Sequence, residues 1–315
     1  METVDVIIPL YKPSAEIFQI LSILSLQTIR PERIILINTE KKYFDELAKE
    51  DKKLEQYDNL SVFHISFDEF DHGDTRNMGA SISNADYFIM MTQDALPENN
   101  RLIEELLKGI KQNPNVAVSY ARQLPREDCG EAERFARKFN YPDKPCLKTK
   151  TDIETLGIKA FFCSDVCAMY DSKIFDKLGG FVHKAIFNED MLYAYKALMS
   201  GYGVYYAAKA LVIHSHNYSC RQQFHRNFDL GVSQADHPEV FAAVSSESEG
   251  ISFAFDTCAH LAKNAKAYLI PHFIFLCISR YMGYFLGKRY KALPMPFVLK
   301  CTTNRVYFSK RTDLS

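Results

Sequence analysis

Along the first third of the chain, short apolar runs alternate with stretches whose apolar residues recur every three or four positions. The run Val4-Asp5-Val6-Ile7-Ile8-Pro9-Leu10 has the form of a buried parallel strand. Ser14 is placed to cap a following helix carrying Ile17, Phe18, Leu21 and Leu24. Further strands are expected over 33–37, 61–65 and 87–91, with helices over 44–54 and 75–82 between them. Strands and helices alternating at these lengths imply right-handed crossovers and a largely parallel sheet, an α/β fold. Such sheets bind ligands beyond the carboxyl ends of their strands. Those ends carry Tyr11-Lys12, Asn38-Thr39 and Thr92-Gln93-Asp94.

After an expected strand over 116–120 the pattern loosens. Residues 122–150 mix charges, prolines and Gly130, with one short helix expected over 131–139, and read as a mobile excursion over a pocket. Residues 161–170 are strand-like, and 202–207 and 211–214 read as two more short strands. The apolar positions Met191, Leu192, Tyr195, Leu198 and Met199 predict a helix ending at Gly201. Helix is again expected over 218–232 and from 251 onward, broken at Pro271, Pro294 and Pro296.

Composition narrows the function classes. With 315 residues, 47% hydrophobic and 24% charged, the chain can bury one large core, or one core with an appendage. A net charge of -1 lacks the basic excess of a nucleic-acid binder. The charge is unevenly spread: from Leu261 onward ten Lys and Arg face Asp313 alone, about +9, leaving about -10 for the rest. A basic, aromatic-rich tail on an acidic body suggests contact with an anionic surface, with packing against the body or a second subunit as the rival. The apolar segment 269–286 is interrupted by Pro271, His272 and Arg280 and reads as an interfacial or packed helix, not a spanning one. Eight cysteines with no CxxC pair indicate buried thiols of a cytosolic protein. No secretory leader is expected where Met1 runs directly into a strand.

Five stretches could carry chemistry. Glu189-Asp190 opens a helix, where backbone N–H groups and the helix dipole keep carboxylates ionised, so the pair is either a general base or an acidic helix start. Asp94, after a buried strand, could hold a divalent cation or be a turn residue before Pro97. In His72-Gly73-Asp74-Thr75-Arg76-Asn77, Asp74 or Thr75 could cap a helix, and Arg76 offers a fork of donors suited to phosphate or to a salt bridge. His214 and His216 would share a face if they lay on a strand, and so could meet one metal. On a helix, Gln222, His225 and Asp229 share one face and Gln223 and Arg226 another, with Phe224 and Phe228 fixing how it sits.

Taken in order, these stretches resemble the inverting glycosyltransferase family two on the GT-A fold, and within it the bacterial rhamnosyltransferases. The resemblance runs through Val6-Ile7-Ile8-Pro9, Ser25-Leu26-Gln27-Thr28, His72-Gly73-x-Thr75-Arg76-Asn77, Thr92-Gln93-Asp94-Ala95-x-Pro97, Ser164-Asp165, Gly179-Gly180-Phe181 and Glu189-Asp190. It continues with His214-Ser215-His216-x-Tyr218-Ser219, Gln223-x-x-Arg226, Phe228-Asp229-x-Gly231 and the late Arg280-Tyr281-x-x-Tyr284-x-x-Gly287.

The resemblance implies a Rossmann-like, mostly parallel GT-A sheet with flanking helices and a C-terminal helical extension. It divides the chain into a transferase domain over 1–235, nucleotide-sugar half 1–120 and acceptor half 121–235, and a basic extension over 236–315. Asp94 and His214 would hold Mg2+ or Mn2+, and Asp190 would deprotonate the acceptor hydroxyl with Glu189 positioning the acceptor or a loop. Arg76, Arg221 and Arg226 would lie near diphosphate or acceptor, and Pro9, Asn38 and Gln93 near nucleoside and ribose. Two positions depart from the family pattern: Thr92 replaces the signature's first acidic residue, and Asn38 replaces the acid usually found after the second strand.

The implied donor is a nucleotide sugar, dTDP-L-rhamnose first. The acceptor would be a glycan or lipid-linked glycan in cell-surface polysaccharide synthesis. The implied location is cytoplasmic, peripheral on the inner membrane face, with an anionic membrane surface or a second copy meeting the C-terminal helices. A different donor or a binding-only protein is the alternative. A nucleotide-dependent oxidoreductase is disfavoured because no G-x-G-x-x-G follows the first strand, and a nucleotidyltransferase because Leu10-Tyr11-Lys12 is not glycine-rich.

Overall fold

The computed structural model of the chain describes residues 2–50, 54, 56–242 and 247–312. Its strands are β1 (Val4–Tyr11), β2 (Arg33–Thr39), β3 (Leu60–Ile65), β4 (Tyr87–Met91), β5 (Leu96–Pro97), β6 (Val116–Leu124), β7 (Cys146–Lys148), β8 (Cys167–Asp171) and β9 (Gly203–Ile213). The helices through the sheet region are α1 (Glu16–Ser25), α2 (Lys41–Glu50), α3 (His72–Ile82), α4 (Leu102–Ile110), α5 (Glu131–Asn140), α6 (Ile153–Leu156), α7 (Ser172–Lys177) and α8 (Glu189–Met199). Then follow α9 (Cys220–Asp236), α10 (Pro238–Phe241), α11 (Glu247–Lys263), α12 (Ile270–Gly287), α13 (Met295–Cys301) and α14 (Arg305–Thr312).

The chain divides into two compact units: 1–126 with 141–183 and 190–214, and 127–140 with 184–189 and 215–315. The first holds the sheet, ordered β3-β2-β1-β4-β8-β6-β9-β5, with β7 also on β9. Neighbours β3, β2, β1 and β4 are parallel, as are β6 and β9, while β8 runs antiparallel between β4 and β6. The parallel strands are apolar on both faces, with Val6, Ile7, Ile8, Ile34, Leu36 and Ile37 all buried, as a sheet covered on both sides requires. Gly79 of α3 is needed for that cover, since a Cβ there would lie 2.4 Å from Ile7 Cγ2.

Several expected boundaries move. Asp71, not Asp74 or Thr75, caps α3, accepting from the Gly73 and Asp74 N–H groups. At α1 the cap position is Ala15, without a side-chain cap. The expected strand over 161–170 begins only at Cys167, after a short 3-10 turn at Gly157–Phe161. The two short strands at 202–207 and 211–214 are one strand, β9, whose pairing with β6 slips between Ala121 and Arg122. That irregularity interrupts the apolar alternation and makes one strand read as two. Of the helix expected over 44–54, α2 accounts for residues up to Glu50, and 51–53 lie outside the described residues.

The second unit is helical, and the expected boundary near residue 235 falls inside it, because α9 packs with the C-terminal helices. Its apolar core gathers Ile186, Phe228, Val232, Tyr290, Val298, Cys301, Tyr307 and Phe308. Asp229 is buried there, accepting from the Thr302 hydroxyl at 2.6 Å, the Thr303 N–H at 2.9 Å and the Thr303 hydroxyl. Desolvation still pushes its carboxyl above the ordinary value. Helices α9 and α12 meet backbone to backbone: a Cβ at Gly283 would stand 2.2 Å from Phe224 O, and one at Gly287 2.1 Å from Phe228 O. Gly287→Ala is therefore expected to destabilise the protein by about 2 kcal/mol or more, because helix backbone must part to admit the methyl. Gly250→Ala, with nothing within 4 Å, is the control and should be neutral or slightly stabilising. Chemical-denaturation midpoints of the two variants check this.

Candidate active site

Strand register brings two distant chemical groups together. Leu96 pairs with Ile213 across the antiparallel β5–β9 contact, and Asp94 stands two residues before the one while His214 stands one after the other. The His214 N–H continues the ladder onto Leu124 O at 2.8 Å. The Asp94 Oδ2 and His214 Nε2 atoms are 3.5 Å apart as a result.

The imidazole is oriented from behind. Its Nδ1 lies 3.1 Å from Gln123 Oε1, and Gln123 Nε2 donates to Ser164 Oγ at 2.9 Å. With the Gln123 oxygen accepting, Nδ1 carries the proton and the Nε2 lone pair points toward Asp94, the tautomer a metal ligand needs. Arg126 donates to Asp94 O at 2.8 Å and pairs with Glu16, fixing the loop after β4. The buried Thr92 hydroxyl has no hydrogen-bond partner among the described residues. A carboxylate facing an oriented imidazole fits a divalent cation such as magnesium or manganese.

From Ser164 the network continues through the adjacent Asp165 to the base candidate. Asp165 is buried, accepts from Tyr170 Oη at 2.5 Å, and faces Arg76 Nε at 3.0 Å. Its N–H donates to Asp190 Oδ2 at 3.0 Å, and the Met191 N–H donates to Asp190 Oδ1 at 2.7 Å. Two backbone donors on a carboxylate at a helix start favour its ionised form. Asp190 is half-buried, so solvent or a ligand can reach it. Burial together with the Asp165 and Asp190 charges pushes the Cys163 thiol and the Tyr170 phenol well above their ordinary values, leaving both neutral.

The remaining candidates divide between the units. In the sheet unit, Pro9 lies on β1, and Asn38 is fully buried with its amide nitrogen 3.1 Å from His64 Nδ1. The Gln93 amide clamps the loop after β1, accepting from Tyr11 N–H at 2.9 Å and donating to Tyr11 O at 3.0 Å. Arg76 is buried, its Nη1 donating to His72 O at 2.9 Å, so it sits within the Asp165 network rather than on an open surface. In the helical unit, buried Glu189 follows Asn188, whose left-handed φ of 64° an asparagine tolerates. Asn188 is held by Ser233 at 3.2 Å. There Arg226 lies over the Phe187 and Tyr218 rings at 4.6 and 5.7 Å, and exposed Arg221 approaches His225. His216 also belongs to this unit, stacked on Tyr218 at 4.7 Å. Strand β9 ends at Ile213, so the alternation expected to align His214 with His216 does not extend to them.

Gln123 was not among the expected residues. Its signal was a polar residue at a buried position of β6, flanked by the partly exposed Arg122 and Leu124. Lys148 was missed as well. Fully buried, it donates to Tyr120 Oη at 3.0 Å, Lys159 O at 3.2 Å and Phe162 O at 2.5 Å, tying β7 to the segment that leads into Ser164-Asp165.

A mostly parallel α/β sheet with a carboxylate–imidazole pair beyond its strand ends, and a half-buried carboxylate at the start of α8, has its polar groups where such sheets bind ligands. The profile of Glycosyl transferase family 2 matches residues 5–179, and the chain belongs to that family. It is 37% identical to "O-antigen chain rhamnosyltransferase RfbN" of Salmonella typhimurium, over 93% of this chain and 91% of that one. It is 36% identical to "O-antigen chain rhamnosyltransferase WbaN" of Salmonella anatum, over 85% and 84%. Solved structures share the fold at 14% identity. One is the mannosyltransferase PcManGT from Pyrobaculum calidifontis in complex with GDP-Man and Mn2+, with TM-score 0.55 over 99% of this chain and 86% of that one. Another is S. aureus TarS 1-349, with TM-score 0.52 over 92% and 91%.

Lys148 makes a pH prediction. Burial lowers its ammonium from the ordinary 10.5 to about 8. Between those values the unfolded chain binds the proton more tightly, so folding stability rises with pH across the window. Comparing pH 7.5 with pH 10, the rise is on the order of 2 kcal/mol. Lys148→Met should lack that rise in urea-unfolding midpoints measured at the two pH values.

Proposed function

We propose that the protein transfers L-rhamnose, with inversion, from a nucleotide sugar, dTDP-L-rhamnose as first candidate, to a hydroxyl of a glycan acceptor carried on a lipid. The observation that carries the reaction is the hydrogen-bonded line from the Asp94–His214 pair through Gln123 and Ser164-Asp165 to Asp190. The rhamnosyltransferase relatives support the sugar, and polysaccharide synthesis as its setting.

Asp94 and His214 are assigned as the ligands of Mg2+ or Mn2+. When bound, that ion supplies positive charge for the departing diphosphate. Asp190 takes the proton from the acceptor hydroxyl as the oxygen attacks the anomeric carbon opposite the leaving group. The Asp165 and Met191 N–H groups hold the carboxylate ionised and aimed. Arg76 pairs with Asp165, so that buried carboxylate is not left uncompensated next to the site. Glu189, Arg221 and Arg226 are assigned to the acceptor side, and Pro9, Asn38 and Gln93 to the nucleoside side.

Purified protein given a panel of nucleotide sugars should turn over dTDP-L-rhamnose, and chelation should stop it. Asp94→Ala should weaken metal-dependent nucleotide binding. Asp190→Asn should lower turnover by at least a hundredfold with nucleotide binding retained. Near-normal turnover by Asp190→Asn would remove the base assignment.

The place of action is assigned to an anionic bilayer surface. By length and composition the segment Ala267–Gly287, with mean hydropathy 1.4, could cross a membrane. One face of α12, however, is sealed on α9 through Gly283 and Gly287, and α9 carries Arg221, His225, Arg226 and Asp229, which hydrocarbon would not accept. The opposite face exposes Ile274, Phe275, Ile278, Tyr281 and Met282, and exposed Arg289 and Lys291 follow it. An apolar stripe beside basic residues fits an in-plane helix on anionic lipid. Flotation with phosphatidylglycerol vesicles should exceed that with phosphatidylcholine, fall at high salt, and vanish in Phe275→Glu/Ile278→Glu. A dimer that the double variant breaks, with flotation unchanged, would reassign the face to a second copy.

A further inference from the structure

The helical unit contains a cavity of about 290 Å³ that plays no part in the chemistry described above. Its floor is the side of α12 carrying His272, Phe273, Leu276 and Arg280, the side away from the exposed apolar stripe. The wall is chemically divided: Phe253, Leu269, Phe273 and Leu276 supply hydrocarbon, while Tyr218, Ser219, Gln223 and Arg280 supply polar groups. Its volume lies at the lower end for small-ligand pockets, which run from about 300 Å³.

The charges around it are unevenly satisfied. Glu131 is engaged by Lys266 at 2.6 Å and His260 at 3.1 Å, and Glu133 by Arg137 at 2.7 Å. Arg280 has no hydrogen-bond or ion-pair partner among the described residues, although it lines the cavity. It keeps a little exposed surface, but the atoms packed about it desolvate the guanidinium and push it below its ordinary value. The Arg226 and Arg137 charges push the same way, and Glu133 opposes them. Arg137, Arg226, Arg280 and Lys266 stand against two already paired carboxylates, Glu131 and Glu133, which leaves a net positive field here. Burying a cation without a partner is costly, so the arrangement favours an arriving anion. A guanidinium fork matches phosphate oxygens, and the apolar wall beside it matches a hydrocarbon chain.

We infer that this cavity is a binding site for a phosphate-bearing amphiphile, its phosphate on Arg280 and its first carbons against Phe253, Leu269, Phe273 and Leu276. Two sources share that chemistry: the isoprenoid carrier of a lipid-linked acceptor, which rests on the acceptor reading above, and a phospholipid of the membrane, which does not.

Calorimetry on the full chain tests it with farnesyl diphosphate, farnesol, inorganic diphosphate and short-chain phosphatidylglycerol, with nucleotide binding as the control for folding. Farnesyl diphosphate should bind at least tenfold tighter than farnesol and than inorganic diphosphate. Arg280→Gln should lose at least tenfold of that affinity. Leu276→Trp, which fills the cavity from α12, should compete away the hydrocarbon contribution. Phosphatidylglycerol binding as tightly as farnesyl diphosphate, with the same loss in Arg280→Gln, would support the site and name membrane phospholipid as its source. Equal affinity in wild type and Arg280→Gln, or no binding of either amphiphile by protein that still binds nucleotide, would overturn it. Transfer to a lipid-linked acceptor by protein that fails the binding test would leave the acceptor reading intact and remove this site alone.

Discussion

The site depends first on one short strand pairing. Two residues of β5, Leu96 and Pro97, lie against Ile213 and Val212 at the end of β9, and from that register both Asp94 and His214 take their positions. The separation in sequence is large, so the pairing carries a loop-closure cost that only a stable sheet can offset. Most of the offset comes from the parallel strands, whose side chains are buried on both faces. The chemistry at the strand ends is thus positioned by hydrophobic burial some distance from it. Gln123 then converts a nearby histidine into an oriented one, because its amide is itself fixed by Ser164.

A second constraint organises the helical unit. Gly231, Gly283 and Gly287 let α9 and α12 approach until backbone meets backbone. The same side of α12, nearer its start, forms the floor of the Arg280 cavity, and the opposite side is exposed and apolar. A bulkier residue at the glycine positions would part the helices and alter both sides together. The late Arg280-Tyr281-x-x-Tyr284-x-x-Gly287 pattern therefore has a physical content. Gly287 sets the approach, Tyr284 anchors to Gln234 at 2.8 Å, Tyr281 is exposed, and Arg280 turns into the cavity.

What could be read from the sequence follows from which forces are local. The β1, β2 and β4 runs are apolar on both faces and short, so their type and place were legible. The α9 start was nearly so, because Ser219 and Gln222 form a capping box. Strand β9 was read as two because a slip in its pairing interrupts the alternation. The cap of α3 was misplaced because three side chains, Asp71, Asp74 and Thr75, could each serve, and only the backbone decides that Asp71 does. Chemistry followed the same division. Asp94, Asp190 and His214 stand out as ionisable side chains at element ends. Gln123 and Lys148 act through partners more than ten residues away that no spacing rule connects to them.

The replacement of an acidic residue by Thr92 bears on how the proposed metal site would work. With Asp94 as the one carboxylate there, a divalent ion would leave about one unit of positive charge unbalanced before any substrate arrives. Oxygen-ligated ions of this kind are commonly completed by substrate phosphates. A diphosphate would bring the missing negative charge, so ion and nucleotide would each strengthen the other's binding, and by thermodynamic linkage to the same degree. His214 contributes to such a site only while its Nε2 is unprotonated, which the Gln123 carbonyl favours by taking the proton-bearing Nδ1. The loss of a carboxylate therefore does not require the loss of metal-assisted transfer. It shifts the work of holding the ion from the protein to the substrate, and makes the neutral threonine consistent with a site assembled when the donor binds.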